Sequence, residues 1–435
     1  MQLEKPRQFA SRILLRHQQG GEFIEDIFEE IIAGAGLKPV DRSLVQEITY
    51  GCVRWQATLD HFMDKLTNGR TQVPPMRVLL RMGIYQSLML DRVPGHALVN
   101  EAVDLARIIG LEPHTGFVNA VLRTCERDRE ALLTEWQALK QAQPAIGWSH
   151  PKWLVQRWEQ RMPAAEVLAL LEWNNQPPPV YARLNPLRML PEQTIETWRT
   201  NDINYAFRKY DWAPENLVFE LSSLPPLAKL VSFQKGAFYI QDPSTLLAVQ
   251  ILDPQPGERI LDLCAAPGGK TTYIAQVIDD DGEVFASDRD PERLKLVTEN
   301  CKRMHITSVS TSTSDELDNY RRNGGEPFDR VLVDAPCSNT GVIRRRVDLR
   351  WRLKPEEFAR LRKVQLELLH RATSLLKPGG VLVYSTCSLE PEENEQLITA
   401  FLEDYPLFDR ETERALSPLR DKVDGAYVIR LRRKR

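Results

Sequence analysis

Two cysteines stand where apolar strands leave a core. VLVYSTCSLEPEENE, residues 381–395, carries Val381, Leu382, Val383 and Tyr384 into Cys387, then into an acidic stretch that reads as solvated. Fifty residues earlier, VLVDAPCSNTG, residues 331–341, again ends a strand on a cysteine, Cys337. In open α/β sheets ligands bind beyond the carboxyl ends of strands, so both thiols fall on the ligand side. A substrate that needs a sulfur nucleophile beside a methyl donor is a pyrimidine modified at C5. That carbon is too poor a nucleophile to take a methyl group directly. A thiolate adding to C6 makes C5 enamine-like, and loss of the C5 proton later expels the thiolate. A free thiol with pKa near ~8.5 is only a few per cent thiolate at neutral pH. An acid should therefore protonate the ring as sulfur adds, and Asp334, three residues before Cys337, is placed to do so. The second thiol would be the base that permits release. The plainer reading makes both cysteines small buried hydrophobes, and position alone does not separate the two. Cys52, Cys125, Cys264 and Cys301 read as packing.

The methyl donor needs a site of its own. LDLCAAPGGKTT, residues 261–272, is a strand running into a Gly-rich turn and then a helix. Gly268 and Gly269 allow close approach of a ligand, and the helix start offers unpaired N–H groups. A phosphate-binding loop of the form GxxxxGK[ST] would need glycine at position 264, which is Cys264, so an NTPase is a poor fit. The next strand ends in Asp288, twenty residues after Gly268, where an acid can accept from ribose hydroxyls. A nucleoside site without phosphate machinery fits S-adenosylmethionine. The alternative is a structural turn followed by a solvated aspartate.

These residues must be held by elements that the hydrophobic pattern locates. The chain has 435 residues, 42% hydrophobic and 27% charged, which calls for two or three domains and excludes general disorder. No apolar run reaches the ~18 residues of a membrane helix, and the N-terminus lacks a signal-peptide core, so the expected location is cytoplasmic. Six cysteines without CxxC spacing argue against zinc and against a disulfide framework, so no metal is expected.

Residues 1–135 read as an all-helical bundle. Phe23, Ile24, Ile27, Phe28, Ile31 and Ile32 follow helical spacing up to Gly34 and Gly36. A second helix is expected from Asp41 as N-cap, and others through MRVLLRMGIYQSLML, HALVNEAVDLARIIG and TGFVNAVLRTC. Residues 140–235, rich in Pro and Trp, read as a small α+β connector with strands at VYARL and AFYIQ and a helix around 164–173. From 236 to 435 strand and helix alternate: RILDLC, EVFASD, RVLVDAPC and VLVYSTC are each followed by a helix. That rhythm predicts a doubly wound, mostly parallel sheet of the Rossmann-like class.

Net charge is −3, so no global basic field exists. Residues 337–363 hold nine Lys/Arg against three Asp/Glu, and residues 420–435 hold seven against two. Such patches can hold phosphate backbones; a solvated helix face is the alternative.

Taken together, LDLCAAPGGKTT, VLVDAPCSNTGVIRR and VLVYSTCSLEPEEN resemble the motifs of bacterial RNA 5-methylcytosine methyltransferases of the RsmB/Sun/Fmu type. FQKGAFYIQDPSTLLA, residues 233–248, is similar to the stretch that precedes the family's donor strand, and VNEAVDLAR and FVNAVLR resemble its NusB-like RNA-binding bundle. The resemblance covers nearly the whole chain. It implies a class I methyltransferase domain that takes S-adenosylmethionine and acts on a cytosine of small-subunit rRNA, with cytosine 967 of 16S rRNA as the suggested target. It implies Cys387 as nucleophile, Cys337 as the thiol that assists release, and Asp334 as an acid shared by catalysis and donor binding. Cys264, Ala265, Ala266, Pro267, Gly268, Gly269 and Lys270 match the donor turn, Asp288 the ribose acid, and Asp315 a residue near adenine.

A target base must be unpaired or flipped out to expose C6. Arg344, Arg345, Arg346, Arg350 and Arg352, with Trp351, are then expected to touch RNA. RRRVDLRW departs from the family in having Val347 where proline is usual, which is expected to alter that RNA-facing loop. Cysteine roles reversed, with Cys337 attacking, stay open, as DNA cytosine methyltransferases use a Pro-Cys cysteine. So do another RNA as substrate, a ribosome-assembly intermediate instead of naked rRNA, and a non-catalytic RNA-binding factor.

Overall fold

The computed structural model describes residues 5–91 and 94–435. They divide into two units, one of Met1–Gln176 with Ile343–Arg352 and one of Pro177–Val342 with Leu353–Arg435. The chain thus lends ten residues of its C-terminal half to the N-terminal unit. Among the described residues no helix is long and apolar enough to cross a membrane.

The first unit is helical throughout. Helices Pro6–Gln19, Ile24–Ile32, Pro39–Arg54, Gln56–Leu66, Pro74–Met89, Gly95–Ile108 and Thr115–Arg127 follow the apolar spacing, and helices continue to Trp173. Ile13, Phe28, Ile48, Phe62, Leu80 and Leu122 form its core. The helix expected to have Asp41 as its N-cap starts three residues earlier, with Lys38 as N-cap and Pro39 as its first residue. Proline has no N–H to lose and its fixed φ suits the first turn, so it takes the start, and Asp41 becomes a first-turn acid that favours the helix dipole.

The second unit carries two sheets. Strands β1 (Val180–Leu184), β2 (Asn204–Phe207), β3 (Val218–Ser222) and β4 (Phe238–Ile240) form an antiparallel sheet in the order β2-β3-β1-β4. It packs around buried Trp198, which meets Phe219 and Phe238 edge-on. The larger sheet comprises β5 (Arg259–Asp262), β6 (Glu283–Asp288), β7 (Val309–Thr313), β8 (Phe328–Asp334), β9 (Leu376–Thr386), β10 (Phe408–Leu416) and β11 (Ala426–Arg433). Their order is β10-β11-β9-β8-β5-β6-β7, and β11 alone runs against the rest. The chain winds one way from β5 to β7, then restarts at β8 on the other side of β5. The carboxyl ends of β5 and β8 therefore flank the switch point at which open sheets bind ligands.

Three strands lie outside the apolar pattern. VSTST of β7 and FDRETERAL of β10 are the sheet's two edges, where polar residues are tolerated and discourage further pairing. The C-terminal basic run, read as either a phosphate-binding patch or a solvated helix face, is largely strand β11, inserted between β9 and β10. Its Arg430 and Arg432 pair with Glu411, and Arg433 donates to the carbonyls of Thr373 and Leu376. Sheet pairing has already engaged these charges.

Candidate active site

The donor turn follows β5. Gly268 has φ +101 and starts helix Gly269–Val277. A Cβ there would lie 3.2 Å from the Val297 backbone, so a side chain meets both backbone strain and a wall. Asp288, at the end of β6, accepts from the Ala266 N–H at 3.1 Å and is nearly buried. Asp315 is exposed in the first turn of the helix that follows β7.

Behind the turn lies a residue that sequence reasoning missed. Arg183 of β1 is 1% exposed; its guanidinium donates to the Gly269 carbonyl at 2.7 Å, to Thr272 Oγ1 at 2.9 Å and to Gln241 Oε1 at 2.6 Å. It lies over the rings of Tyr273 and Tyr239, and burial lowers its pKa to about 10. The small sheet thus holds the donor turn from behind. No local motif marks this arginine, because its partners are 58 to 89 residues away.

Charge is concentrated at the switch point. Lys270 Nζ donates to Asp334 Oδ2 at 2.6 Å. Burial works against its ammonium, but the Asp334 carboxylate prevails and raises the lysine above its ordinary range. Asp262, at the end of β5, is fully buried and accepts from Thr271 Oγ1 at 2.7 Å. Its other carboxylate oxygen has no hydrogen-bond partner among the described residues. Burial first, then the negative charge of Asp334 and Asp288, pushes Asp262 up to about 7.

The two cysteines meet. Strand β8 stops at Asp334, so Cys337 lies three residues out in the following loop and not on the strand as expected. Cys387 directly follows β9. Parallel pairing sets Asp334 opposite Ser385, and the two loops bring the sulfurs to 3.3 Å. The hydrogen bond to Cys387, then burial, holds Cys337 as a thiol well above the usual range. The Gly341 N–H donates to the Cys387 carbonyl at 2.9 Å, and a Cβ on Gly341 would lie 2.7 Å from that oxygen.

The acidic stretch after Cys387 is solvated only in part: Glu395 is exposed and Glu392 half-buried. Glu390 and Glu393 are fully buried and Asn394 nearly so. Glu393 Oε1 accepts from the Ser338 N–H and from Gln365 Nε2, both at 2.9 Å; Oε2 accepts from the hydroxyls of Ser338 and Ser388. One carboxylate therefore clamps the residue after each cysteine. Asn394 accepts from Thr386 Oγ1 at 2.6 Å and donates to the Ser388 carbonyl. A run of acids reads as surface because composition carries no information about donors fifty residues away.

The arginine segment also departs from expectation. Val347 is fully buried in the helical core of the first unit, so it fills a core position and not an RNA-facing loop. Asp348 accepts from the Ile24 N–H and faces His17 and Arg352. Arg350 is fully buried and donates to the carbonyls of Ser149 and Asn174 and to Asn175. Trp351 donates to the Val53 carbonyl, Arg352 to that of Glu22, and Arg344 lies over the Trp173 ring. These residues hold the segment within the helical unit. Arg346 alone of the group is classed as exposed.

A seven-stranded sheet with one reversed strand, a glycine turn after its first strand and acids at the neighbouring strand ends define a Rossmann-like methyltransferase. The family model of the 16S rRNA methyltransferase RsmB/F matches residues 249–431, that of the NusB family residues 4–127, and that of the RsmF/B-like ferredoxin-like domain residues 150–222. The probable ribosomal RNA small subunit methyltransferase B of Synechocystis sp. is 36% identical, covering 92% of this chain and 89% of its own. Ribosomal RNA small subunit methyltransferase B of Klebsiella pneumoniae is 38% identical over 84% and 82%. A crystallised methyltransferase homolog from Pyrococcus horikoshii, 28% identical, superposes with a TM-score of 0.57 over 66% of this chain and 97% of its own. The chain belongs to the RsmB/F family of 16S rRNA methyltransferases.

Proposed function

We propose that this protein transfers a methyl group from S-adenosylmethionine to C5 of a cytosine in 16S rRNA through a cysteine–C6 adduct. The observation that carries the reading is the 3.3 Å approach of Cys337 and Cys387 at the carboxyl edge of the sheet, beside the Lys270–Asp334 pair. Two packing cysteines would have no need of a clamp on each loop.

The donor site suits such a ligand. Gly268 and Gly269 let the turn pack closely against Val297, Tyr239 and Gln241, Asp288 offers a carboxylate for ribose hydroxyls, and the second Asp262 oxygen is a buried acceptor with no donor among the described residues. Residues Cys264–Lys270, Asp288, Asp315 and Asp334 would hold the donor. Bound there, it supplies an electrophilic methyl group.

The protein's own residues would do the rest. Cys387 Sγ hands its proton to the Asp334 carboxylate and bonds to C6, and Asp334, beside the Lys270 ammonium, passes that proton to the ring nitrogen N3. The electron pair released at C5 forms the new carbon–carbon bond as the sulfur–methyl bond of the donor breaks, leaving a neutral thioether. Cys337, once its own proton has left to solvent, takes the C5 proton as a thiolate; the C5–C6 double bond re-forms, N3 returns its proton to Asp334, and the bond from Cys387 to C6 breaks with the Cys387 thiolate leaving. The base must be extruded from any duplex to expose C6.

The test incubates the wild type, Cys337→Ala and Cys387→Ala with 16S rRNA and labelled donor, followed by denaturing electrophoresis. The expected result is a slow-migrating protein–RNA adduct with Cys337→Ala and neither adduct nor transfer with Cys387→Ala. An adduct with Cys387→Ala instead reverses the roles. A wild type that neither binds donor nor transfers methyl overturns the reading in favour of an RNA-binding scaffold. Mapping the modified base tests cytosine 967, and substrate preference tests naked rRNA against an assembly intermediate.

A further inference from the structure

Asn339 closes a ring of hydrogen bonds around the two sulfurs. Its Nδ2 donates to the Cys337 carbonyl at 2.8 Å, and its Oδ1 accepts from Cys387 Sγ at 2.9 Å. The two sulfurs complete the ring at 3.3 Å. The carbonyl settles the direction of every bond. It can only accept, so the amide nitrogen must face it, which turns the amide oxygen toward Cys387. Cys387 must then be the donor, and its sulfur is left to accept from Cys337. The side chain reaches both groups because Asn339 sits in the left-handed region, φ +56, which asparagine tolerates better than most residues.

We infer that Asn339 is a positioning residue for the nucleophile: it holds Cys387 in the proton-donating form in the free enzyme and directs the Cys337 proton onto the Cys387 sulfur. This rests on the reading of Cys387 as nucleophile and extends it. A thiolate at Cys387 would face the lone pairs of the amide oxygen, so the resting nucleophile is quiet toward stray electrophiles. Attack on a bound base requires Cys387 to surrender this bond. The other titratable groups around the pair are Lys270 and Asp334 on the donor side, Glu393 behind both loops and Tyr384 of β9. None of them belongs to Asn339, and all remain when it is replaced.

The test follows alkylation of Cys387 by iodoacetamide, resolved by peptide mass spectrometry, against pH. Asn339→Gly removes the amide while keeping a residue at ease with positive φ. Asn339→Asp replaces it with a carboxylate of the same shape. The glycine variant should bring alkylation on at lower pH, reacting several-fold faster near neutrality. The aspartate variant should displace the profile upward by about one pH unit or more, roughly tenfold slower near neutrality. Opposite displacements are the signature, since general loosening of the loop would speed both. Two profiles that match the wild type, or that move in the same direction, overturn the inference. The adduct experiment fails separately: an adduct formed through Cys337 removes the nucleophile assignment, whatever the alkylation profiles show.

Discussion

The donor side and the thiol side of the sheet edge are built by different means. On the donor side, charged groups face the ligand space directly: Lys270 on Asp334, Asp288 on the turn, and Asp262 with one oxygen unpartnered. On the thiol side, the Cys387 sulfur is hydrogen-bonded by a neutral amide and by the other sulfur, and Glu393, behind both loops, is occupied by Ser338, Ser388 and Gln365. The contrast follows from the chemistry proposed for each. A cationic, zwitterionic donor is held by charge. A thiol that must alternate between proton carrier and nucleophile is better placed by neutral hydrogen bonds, because a fixed charge in contact would commit it to one state.

Experiments can break or sharpen that contrast. The largest effect is expected from Cys387→Ala, with methyl transfer reduced about 10⁴-fold or more, as measured by label incorporation. Transfer that survives within tenfold would remove sulfur from the chemistry. Next is Glu393→Ala. It strands the Ser338, Ser388 and Gln365 donors in a buried site and should cost on the order of 3–5 kcal/mol in urea denaturation. Glu393→Gln should cost less, since it keeps two polar termini. Equal costs would mean that the clamp works by shape and not by charge. Lys270→Met should lower kcat by roughly 10²-fold while leaving stability nearly intact, if its ammonium supports the Asp334 proton delivery. An effect confined to donor affinity would place the pair in binding alone.

The smallest effect concerns Asp262. Its pKa of about 7 in the folded protein lies above the ~3.9 of an unfolded aspartate, so the folded chain retains a proton that the unfolded chain releases. Stability conferred by that proton falls as pH rises from about 4 to 7, and the full cost of the buried charge is present above that. Asp262→Asn should therefore raise the melting temperature by more at pH 8 than at pH 5. A gain that does not vary with pH would show that the carboxylate is already solvated.

Much of the fold was legible because its signals are local. Pro291 and Pro355 each open a helix in the strand–helix alternation, and the apolar runs of β5, β6, β8 and β9 announce a parallel sheet. The edge strands β7 and β10 escaped because edges need no apolar face, and β11 because its arginines look like a surface tail until Glu411 meets them. In the site, Cys337, Cys387, Asp334 and the glycine turn were found from position relative to strand ends. Arg183, Asn339 and Glu393 were not, because nothing in their neighbourhood reports what they will touch. The basic segment shows the converse failure. Its composition reads as RNA-binding, yet Arg350 and Trp351 spend their donors on backbone carbonyls of the helical unit.

The alternation of strands and helices, the glycine turn and the placement of two thiols just beyond the carboxyl ends of strands follow from sequence alone, since they depend on periodicity, backbone preference and residue type within short windows. Only the tertiary structure decided that the sulfurs meet at 3.3 Å, that one buried glutamate secures both loops, that an arginine from the small sheet backs the donor turn and that Val347 is a core residue. Each of these is a pairing of groups tens to hundreds of residues apart, and burial, which sets their energies, exists only after the chain has folded.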